Sequence, residues 1–233
     1  LRQLGSTENP WGLPSSQRLD WAKDRTIRQA SADDGREVLL WVGCSGAFDP
    51  RGQKTVRAIC DLFEIAGVKY TVLGPKERCT GDPARRTGDE FLFQQLAEQN
   101  ISTLQGVGAT KIVTQCPHCL NTLMNEYPAF GGTFEVMHHT QYLQELIEDG
   151  RLKVAPVVAE KVTYHDPCFL ARVNNISSVP RKVLGSSLMI PLAEPSKRKC
   201  KTNCCGAGGA SNVCTEKGHS PPGLPRAVVD ACQ

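Results

Sequence analysis

From Glu37 to Gly43 the chain reads EVLLWVG, a continuous apolar run of strand length that ends at Gly43-Cys44. Apolar residues then recur at Val56, Ile59, Cys60, Phe63 and Ala66, the three- and four-residue spacing of one helix face, which predicts a helix over Gln53–Ala66. Val68–Leu73 is predicted as a second strand, Glu90–Leu104 as a second helix, and Lys111–Gln115 as a third strand meeting Cys116-Pro117. The pattern recurs in outline further on. Phe134–His138 is predicted as a short strand, Gln141–Asp149 as a helix, and Lys161–His165 as a buried strand running into Asp166-Pro167-Cys168. Alternating strands and helices predict an α/β fold, here two Rossmann-like parallel-sheet lobes with right-handed crossovers. In such sheets ligands gather beyond the carboxyl ends of the strands, and Cys44, Cys116 and Cys168 each follow such an end.

Residues 1–36 are polar, with Pro10, Pro14 and a charged DWAKDR segment, and are predicted as a linker with room for one short helix. The organisation expected is therefore a linker at 1–36, a first cysteine-rich lobe at 37–150, a second, incomplete lobe at 151–210, and an atypical tail at 211–233.

Composition narrows the function. Hydrophobic residues are 40% and charged residues 22% of 233, enough apolar surface for a packed core. Lys plus Arg is 27 and Asp plus Glu is 24, so the net charge of +3 is thin and no basic run points to nucleic acid. No stretch approaches the roughly 18–20 apolar residues of a membrane span, and LRQLGSTENPWGLP is not a secretory signal, which predicts a cytoplasmic location. The chain begins with Leu, so a preceding segment of the natural protein is expected. Eleven cysteines, an odd number without a secretion signal, favour metal binding over a disulfide framework.

The spacing of those cysteines repeats. Cys44 and Cys79 are separated by 34 residues, Cys79 and Cys116 by 36, and Cys116-Pro-His-Cys119 is a CxxC. In the second half Cys168 and Cys204 are separated by 35 residues, and Cys204-Cys205-Gly206 takes the place of Cys79-Thr80-Gly81. Matching spacing of this kind marks an internal repeat. Thiolates select iron–sulfur clusters or zinc. Structural zinc sites usually draw ligands in close pairs, whereas Cys44 and Cys79 stand singly, which suits a cluster assembled at strand ends; zinc stays open as the rival.

These features, with the phrases CTGDPARRTGDEFLFQQLAEQN, TQCPHCLNTLMNEYP, FEVMHHTQ, YHDPCFLAR and CCGAGGA, resemble the cysteine-rich CCG-domain proteins. That family includes the cysteine-rich component of heterodisulfide reductase and the glycolate oxidase iron–sulfur protein, and the likeness is strongest to the branch that carries electrons from electron-transfer flavoprotein to menaquinone. The resemblance implies an iron–sulfur oxidoreductase subunit or domain holding [4Fe-4S] clusters. It implies an electron-transfer flavoprotein or dehydrogenase subunit as partner, and quinone reached through N-terminal regions that this chain lacks. The implied location is the inner face of the plasma membrane in the full-length protein, and this fragment alone is not expected to be competent. Two alternatives stay open: a zinc-stabilised, non-enzymatic partner-binding module, and disulfide reduction at the cluster, as in heterodisulfide reductase.

Carried over residue by residue, the resemblance implies Cys44, Cys79, Cys116 and Cys119 as one ligand set, with Thr80 replacing the second cysteine of its Cys-Cys pair. Cys168, Cys204 and Cys205 are the implied ligands of a second site, whose CxxC, at the spacing of the repeat, would fall beyond Gln233. After Ala210 the family pattern is lost, which suggests truncation or frameshift; substitution of the missing ligands by Cys214 and Cys232 is the minor alternative. Around these, His118, His165, Asp166 and Gly206 are expected to shape the loops or donate to cluster sulfurs. Gly206 opens the run Gly206-Ala-Gly-Gly209, which lets backbone amides approach sulfur. Arg85 and Arg86 form either a solvated face or a counter-charge, Cys60 belongs to the core, and His138 and His139, adjacent on a strand, are expected to point to opposite faces.

Overall fold

The computed structural model describes residues 1–158 and 161–206. The chain divides after His139 into two compact units. In the first, strands β1 (Val38–Trp41), β2 (Tyr70–Thr71), β3 (Lys111–Thr114) and β4 (Glu135–His138) form one parallel sheet in the order β2-β1-β3-β4. Leu39 stands opposite Thr71 on one side and Ile112 on the other, and Val113 stands opposite Met137. All four residues of β1 are buried, as a central strand covered on both faces requires.

A short helix α1 (Arg2–Thr7) opens the chain, and α2 (Gly43–Phe48) follows β1 directly. The longer α3 (Pro50–Ile65) starts where Asp49 accepts hydrogen bonds from the Arg51 and Gly52 amides at 3.0 and 2.9 Å, with Pro50 in the first turn. It buries Val56, Ile59, Cys60 and Phe63, the predicted face. After α4 (Asp82–Arg86), α5 (Glu90–Gly106) is capped by Asp89 and buries Phe93, Leu96, Ala97, Asn100, Ile101 and Leu104. The short α6 (Pro117–Asn121) continues into a π-helical turn at Thr122–Glu126.

Residues 1–36 are packed, not a free linker. Leu4, Asn9, Arg18, Trp21 and Ala30 are buried, Ser15–Ala22 is a 3-10 helix, and the chain at Arg28–Ala30 bridges Val72 beyond β2. The polar composition hides this because a few apolar residues there, Leu4, Trp21, Ala22 and Ala30, are buried. The second strand is also shorter than the apolar run Val68–Leu73, since only Tyr70 and Thr71 find ladder partners in β1.

The second unit, from Thr140, takes in α7 (His139–Glu148) after its first residue, with Tyr142, Leu143 and Leu146 buried, and includes α8 (Ser178–Ser187). The strand expected at Lys161–His165 is reduced to a single parallel bridge from Thr163 to Ala193. Lys161 and Thr163 are exposed and alternate with half-buried neighbours, so this stretch is not the buried run that its composition suggested. A second bridge joins Val157 to Leu188. Among the described residues no helix is long and apolar enough to cross a membrane.

Candidate metal centre

Strand order reverses between β1 and β3, the crevice position at which open α/β sheets bind ligands. Cys44 lies just past β1 and Cys116 just past β3. Cys116 caps α6: its Sγ accepts the Cys119 amide hydrogen bond at 3.5 Å, with Pro117 in the first turn, so helix geometry places the two sulfurs of the CxxC on one side. Gly43 has φ of +72°, and a Cβ there would lie 3.6 Å from Cys119 Sγ and 4.0 Å from Trp41 Nε1. Glycine thus keeps open a space between the β1 end and the CxxC.

Cys79 arrives from the loop after β2, and a buried polar network fixes it. Its amide donates to the Glu8 carbonyl at 2.9 Å, and its own carbonyl accepts from Asn100 Nδ2 at 2.9 Å. Asn100 also donates to Tyr127 Oη at 3.1 Å, and Tyr127 Oη donates to the Thr80 carbonyl at 3.1 Å. Gly81 follows with φ of +86°, where a Cβ would sit 2.8 Å from the Phe93 ring. Thr80 Oγ1 is 4.0 Å from Cys119 Sγ.

The four thiols interact as two hydrogen-bonded pairs, Cys44 with Cys79 and Cys116 with Cys119, and Cys119 also feels the charges of Cys44 and Cys79. Within each pair the shared hydrogen bond lowers one partner, Cys44 or Cys116, and raises the other. Arg18 Nη2 donates to Cys44 Sγ at 3.2 Å and so adds to its lowering. Cys60, by contrast, is pushed by burial up to about 11 and sits in the core, as expected.

His118 turns to Asp82, Nδ1 to Oδ2 at 2.9 Å. Burial works against the imidazolium, but Asp82 prevails and raises His118. Asp82 also accepts from Arg86 Nε at 3.0 Å, and Arg85 and Arg86 both reach Glu126. Those two arginines are engaged with carboxylates; the cation at the sulfurs is Arg18. His138 and His139 also differ from expectation. Their rings lie 4.2 Å apart, because β4 ends at His138 and α7 starts at His139, so strand alternation does not govern the pair.

In the second unit Cys168 Sγ donates to Cys204 Sγ at 3.9 Å, and the charge of Cys205 also bears on Cys168, which is raised, chiefly by burial. The Gly206 amide donates to Cys204 Sγ at 3.4 Å, from a residue with φ of +77°. Buried Asp166 accepts both Arg181 Nη1 and Nη2, at 2.6 and 2.7 Å, and the Lys199 amide at 2.7 Å. His165 Nε2 is buried with no hydrogen-bond partner among the described residues. Cys214, Cys232 and the glycines after Gly206 in the run to Gly209 lie outside the described residues.

The first-unit donor set fits a thiolate-bound centre. Four cysteines, none in a disulfide, meet beside a glycine whose missing side chain leaves room, and the buried Trp41 Nε1 beside that glycine has no hydrogen-bond partner among the described residues. Among the described residues no three Cys, His, Asp or Glu side chains are grouped to hold a single metal ion. Sequence reasoning missed Arg18, Glu77, Asn100 and Tyr127. Glu77 stood two residues from Cys79 and was open to notice; Arg18, far away in a polar stretch, carried no signal.

Comparison with known proteins adds a family. The cysteine-rich CCG domain matches at residues 38–124 and 162–220. The chain is 42% identical over 218 residues to a probable membrane-anchored ferredoxin of Chromohalobacter salexigens, covering 91% of this chain and 32% of that protein. It is 41% identical over 208 residues to a probable iron-sulfur-binding oxidoreductase of Bacillus subtilis, covering 86% and 30%. An EtfAB:quinone oxidoreductase of Syntrophomonas wolfei is 41% identical over 206 residues, covering 86% and 29%. The chain thus spans about 30% of the length of these relatives. No solved structure matches.

Proposed function

Because this chain belongs to the cysteine-rich CCG domain family, we propose that it is the iron–sulfur electron-transfer part of a membrane-associated oxidoreductase, passing electrons from a flavoprotein or dehydrogenase toward quinone. The observation that carries this reading is the meeting of Cys44, Cys79, Cys116 and Cys119 at the crevice between β1 and β3. Four thiolates are the usual complement of a [4Fe-4S] cluster. The wide separation of Cys44 and Cys79 along the chain suits a cluster assembled at strand ends better than the closely paired ligands usual in structural zinc sites. The relatives named as a membrane-anchored ferredoxin and an EtfAB:quinone oxidoreductase support the direction of electron flow and the membrane association.

A cluster bound there supplies one-electron transfer, which no side chain offers. The chain's own residues do the rest. Cys44, Cys79, Cys116 and Cys119 supply the thiolates, buried Asn100 and Tyr127 hold the Cys79 loop, and the burial of Cys44 and Cys79 excludes water. In the second unit Cys168, Cys204 and Cys205 offer three thiolates to a second centre, with Asp166 and Gly206 ordering their loops. Purification without oxygen, reconstitution with iron and sulfide, and iron, sulfide and zinc analysis with an optical spectrum test the reading. Iron and acid-labile sulfide in near-equal amounts are expected. Stoichiometric zinc without iron would overturn it.

A further inference from the structure

The first-unit cysteine site draws on residues ahead of the family match. Arg18 lies on the 3-10 helix Ser15–Ala22, ahead of the matched residues 38–124, yet its side chain is only 3% exposed. Its two terminal nitrogens do different things. Nη1 donates to Glu77 Oε1 at 3.0 Å, and Nη2 donates to Cys44 Sγ at 3.2 Å. Glu77, 2% exposed, in turn accepts the Gly43 amide on Oε1 at 2.8 Å and the Val42 amide on Oε2 at 3.0 Å. The guanidinium carbon also stands 5.2 Å above the Phe48 ring centre. Nearby, the Glu8 carbonyl holds the Cys79 amide and Arg78 pairs with Glu8 at 2.8 Å. The N-terminal segment therefore grips both cysteines of one pair, Cys44 through Arg18 and Cys79 through Glu8.

We propose that Arg18 is a positioning residue of the first centre: a buried two-pronged clamp that closes the N-terminal segment over the Cys44 side and places a fixed positive charge against the cluster's thiolate. The inference rests on the cluster reading of that site. Its chemistry follows from geometry. A planar guanidinium can bond a carboxylate and a sulfur at once, whereas an ammonium is a point charge and cannot reproduce the fork. Reduction adds negative charge to the centre, so a cation at the sulfur favours the reduced form, and the hydrogen bond to sulfur acts in the same direction. The second unit offers an internal control. Arg181 is also part-buried against a carboxylate, but it bonds Asp166 and Glu194.

The test uses the full chain and the variants Arg18→Lys, Arg18→Gln and Arg181→Lys. After anaerobic reconstitution, midpoint potentials are measured along with iron release to a chelator. Arg18→Gln should make the first-centre potential more negative and speed its iron release by about 10- to 100-fold, the usual effect of losing a partner next to a ligand. Arg18→Lys should fold, retain its charge, and fall between Gln and the parent in both measurements. Arg181→Lys should leave the first-centre potential unchanged. Hydrogen exchange on metal-free protein supplies an independent reading: residues 15–22 should lose protection in both Arg18 variants. If the parent takes up no iron, the cluster reading fails while exchange still decides the clamp. Should Arg18→Lys match the parent in potential, release and exchange, the clamp is overturned, even if Arg18→Gln fails to fold.

Discussion

The two cysteine units solve the same problem with one shared device and two different supports. In the first, Glu77, two residues before Cys79, accepts the amide of Val42, two residues before Cys44. In the second, Thr202, two residues before Cys204, donates to the carbonyl of Asp166, two residues before Cys168. Each repeat thus ties the approach to one cysteine to the approach to the other, and each places a glycine with positive φ, Gly81 or Gly206, after the pair. The supports differ. Cys44 and Cys79 are buried, with a cation on the sulfur, whereas Cys204 is exposed and Arg181 serves Asp166 and Glu194. The repeat sets the backbone route; flanking sequence decides how dry and how charged the sulfurs are.

The strongest way to break this comparison is to remove a sulfur from each unit. Cys79→Ser should abolish nearly all iron binding at the first centre, because that residue is buried and hydrogen-bonded to Cys44, and should leave any second-unit signal in place. Cys204→Ser should spare the first centre. Iron content and the optical spectrum of each variant after reconstitution check both. An unchanged first-centre spectrum in Cys79→Ser would show that the four cysteines do not act together.

Next in size is the carboxylate that organises the second unit. Asp166→Ala removes three hydrogen-bond acceptances from Arg181 and Lys199 and leaves the arginine with Glu194 and the Ser177 carbonyl, which should destabilise that unit by about 3 kcal/mol. Hydrogen exchange across residues 161–206 reads the loss, while the first unit should keep its protection. Equal loss in both units would mean that they unfold as one body.

The paired glycines sharpen the contrast further. Gly81→Ala combines a left-handed backbone with a Cβ 2.8 Å from the Phe93 ring, for an expected cost of about 2–3 kcal/mol. Gly206→Ala meets the backbone penalty, about 1–2 kcal/mol. Thermal unfolding of the first unit should therefore respond to Gly81→Ala by the larger shift. The reverse ranking would locate the tighter turn in the second repeat.

Much of this was legible in the sequence, and the limits have physical causes. The strands ahead of Cys44 and Cys116 announced themselves as apolar runs, and the helix face at Val56, Ile59, Cys60 and Phe63 as a periodicity, since each is a local pattern that burial enforces. Cysteine spacing and the family resemblance pointed to Cys44, Cys79, Cys116 and Cys119, and these four interact in the first unit. Arg18 was invisible because its value lies in contacts with Cys44 and Glu77, 26 and 59 residues away, and no period or motif marks a single long-range pair. Asn100 was hidden for the same reason, a polar residue on an apolar helix face whose partners lie in the Cys79–Tyr127 network. The strand at Lys161–His165 failed differently, since β-propensity without ladder partners is a weak determinant.

The last prediction concerns acid. His138 is buried at the end of β4, with Nε2 against the Gln115 carbonyl at 3.0 Å, and burial pulls its imidazolium down to about 4. An unfolded histidine titrates near 6.5, so on acidification the unfolded chain takes up the proton first. The stability that neutral His138 contributes is therefore present above about pH 6.5 and is lost as pH falls toward 4. Between pH 7.5 and pH 5 this amounts to about 2 kcal/mol for the first unit. His139, whose ring lies beside it and which is also lowered by burial, acts in the same sense. Denaturant unfolding of the parent and of His138→Gln over that range measures the difference, with exchange in residues 111–138 assigning it to the first unit. The parent should lose stability more steeply than the variant, by about 2 kcal/mol at pH 5 once each is referred to its own value at pH 7.5. Parallel pH profiles would mean that His138 is solvated in the folded protein, and the end of β4 would then have to be as open as the loop that carries Cys204.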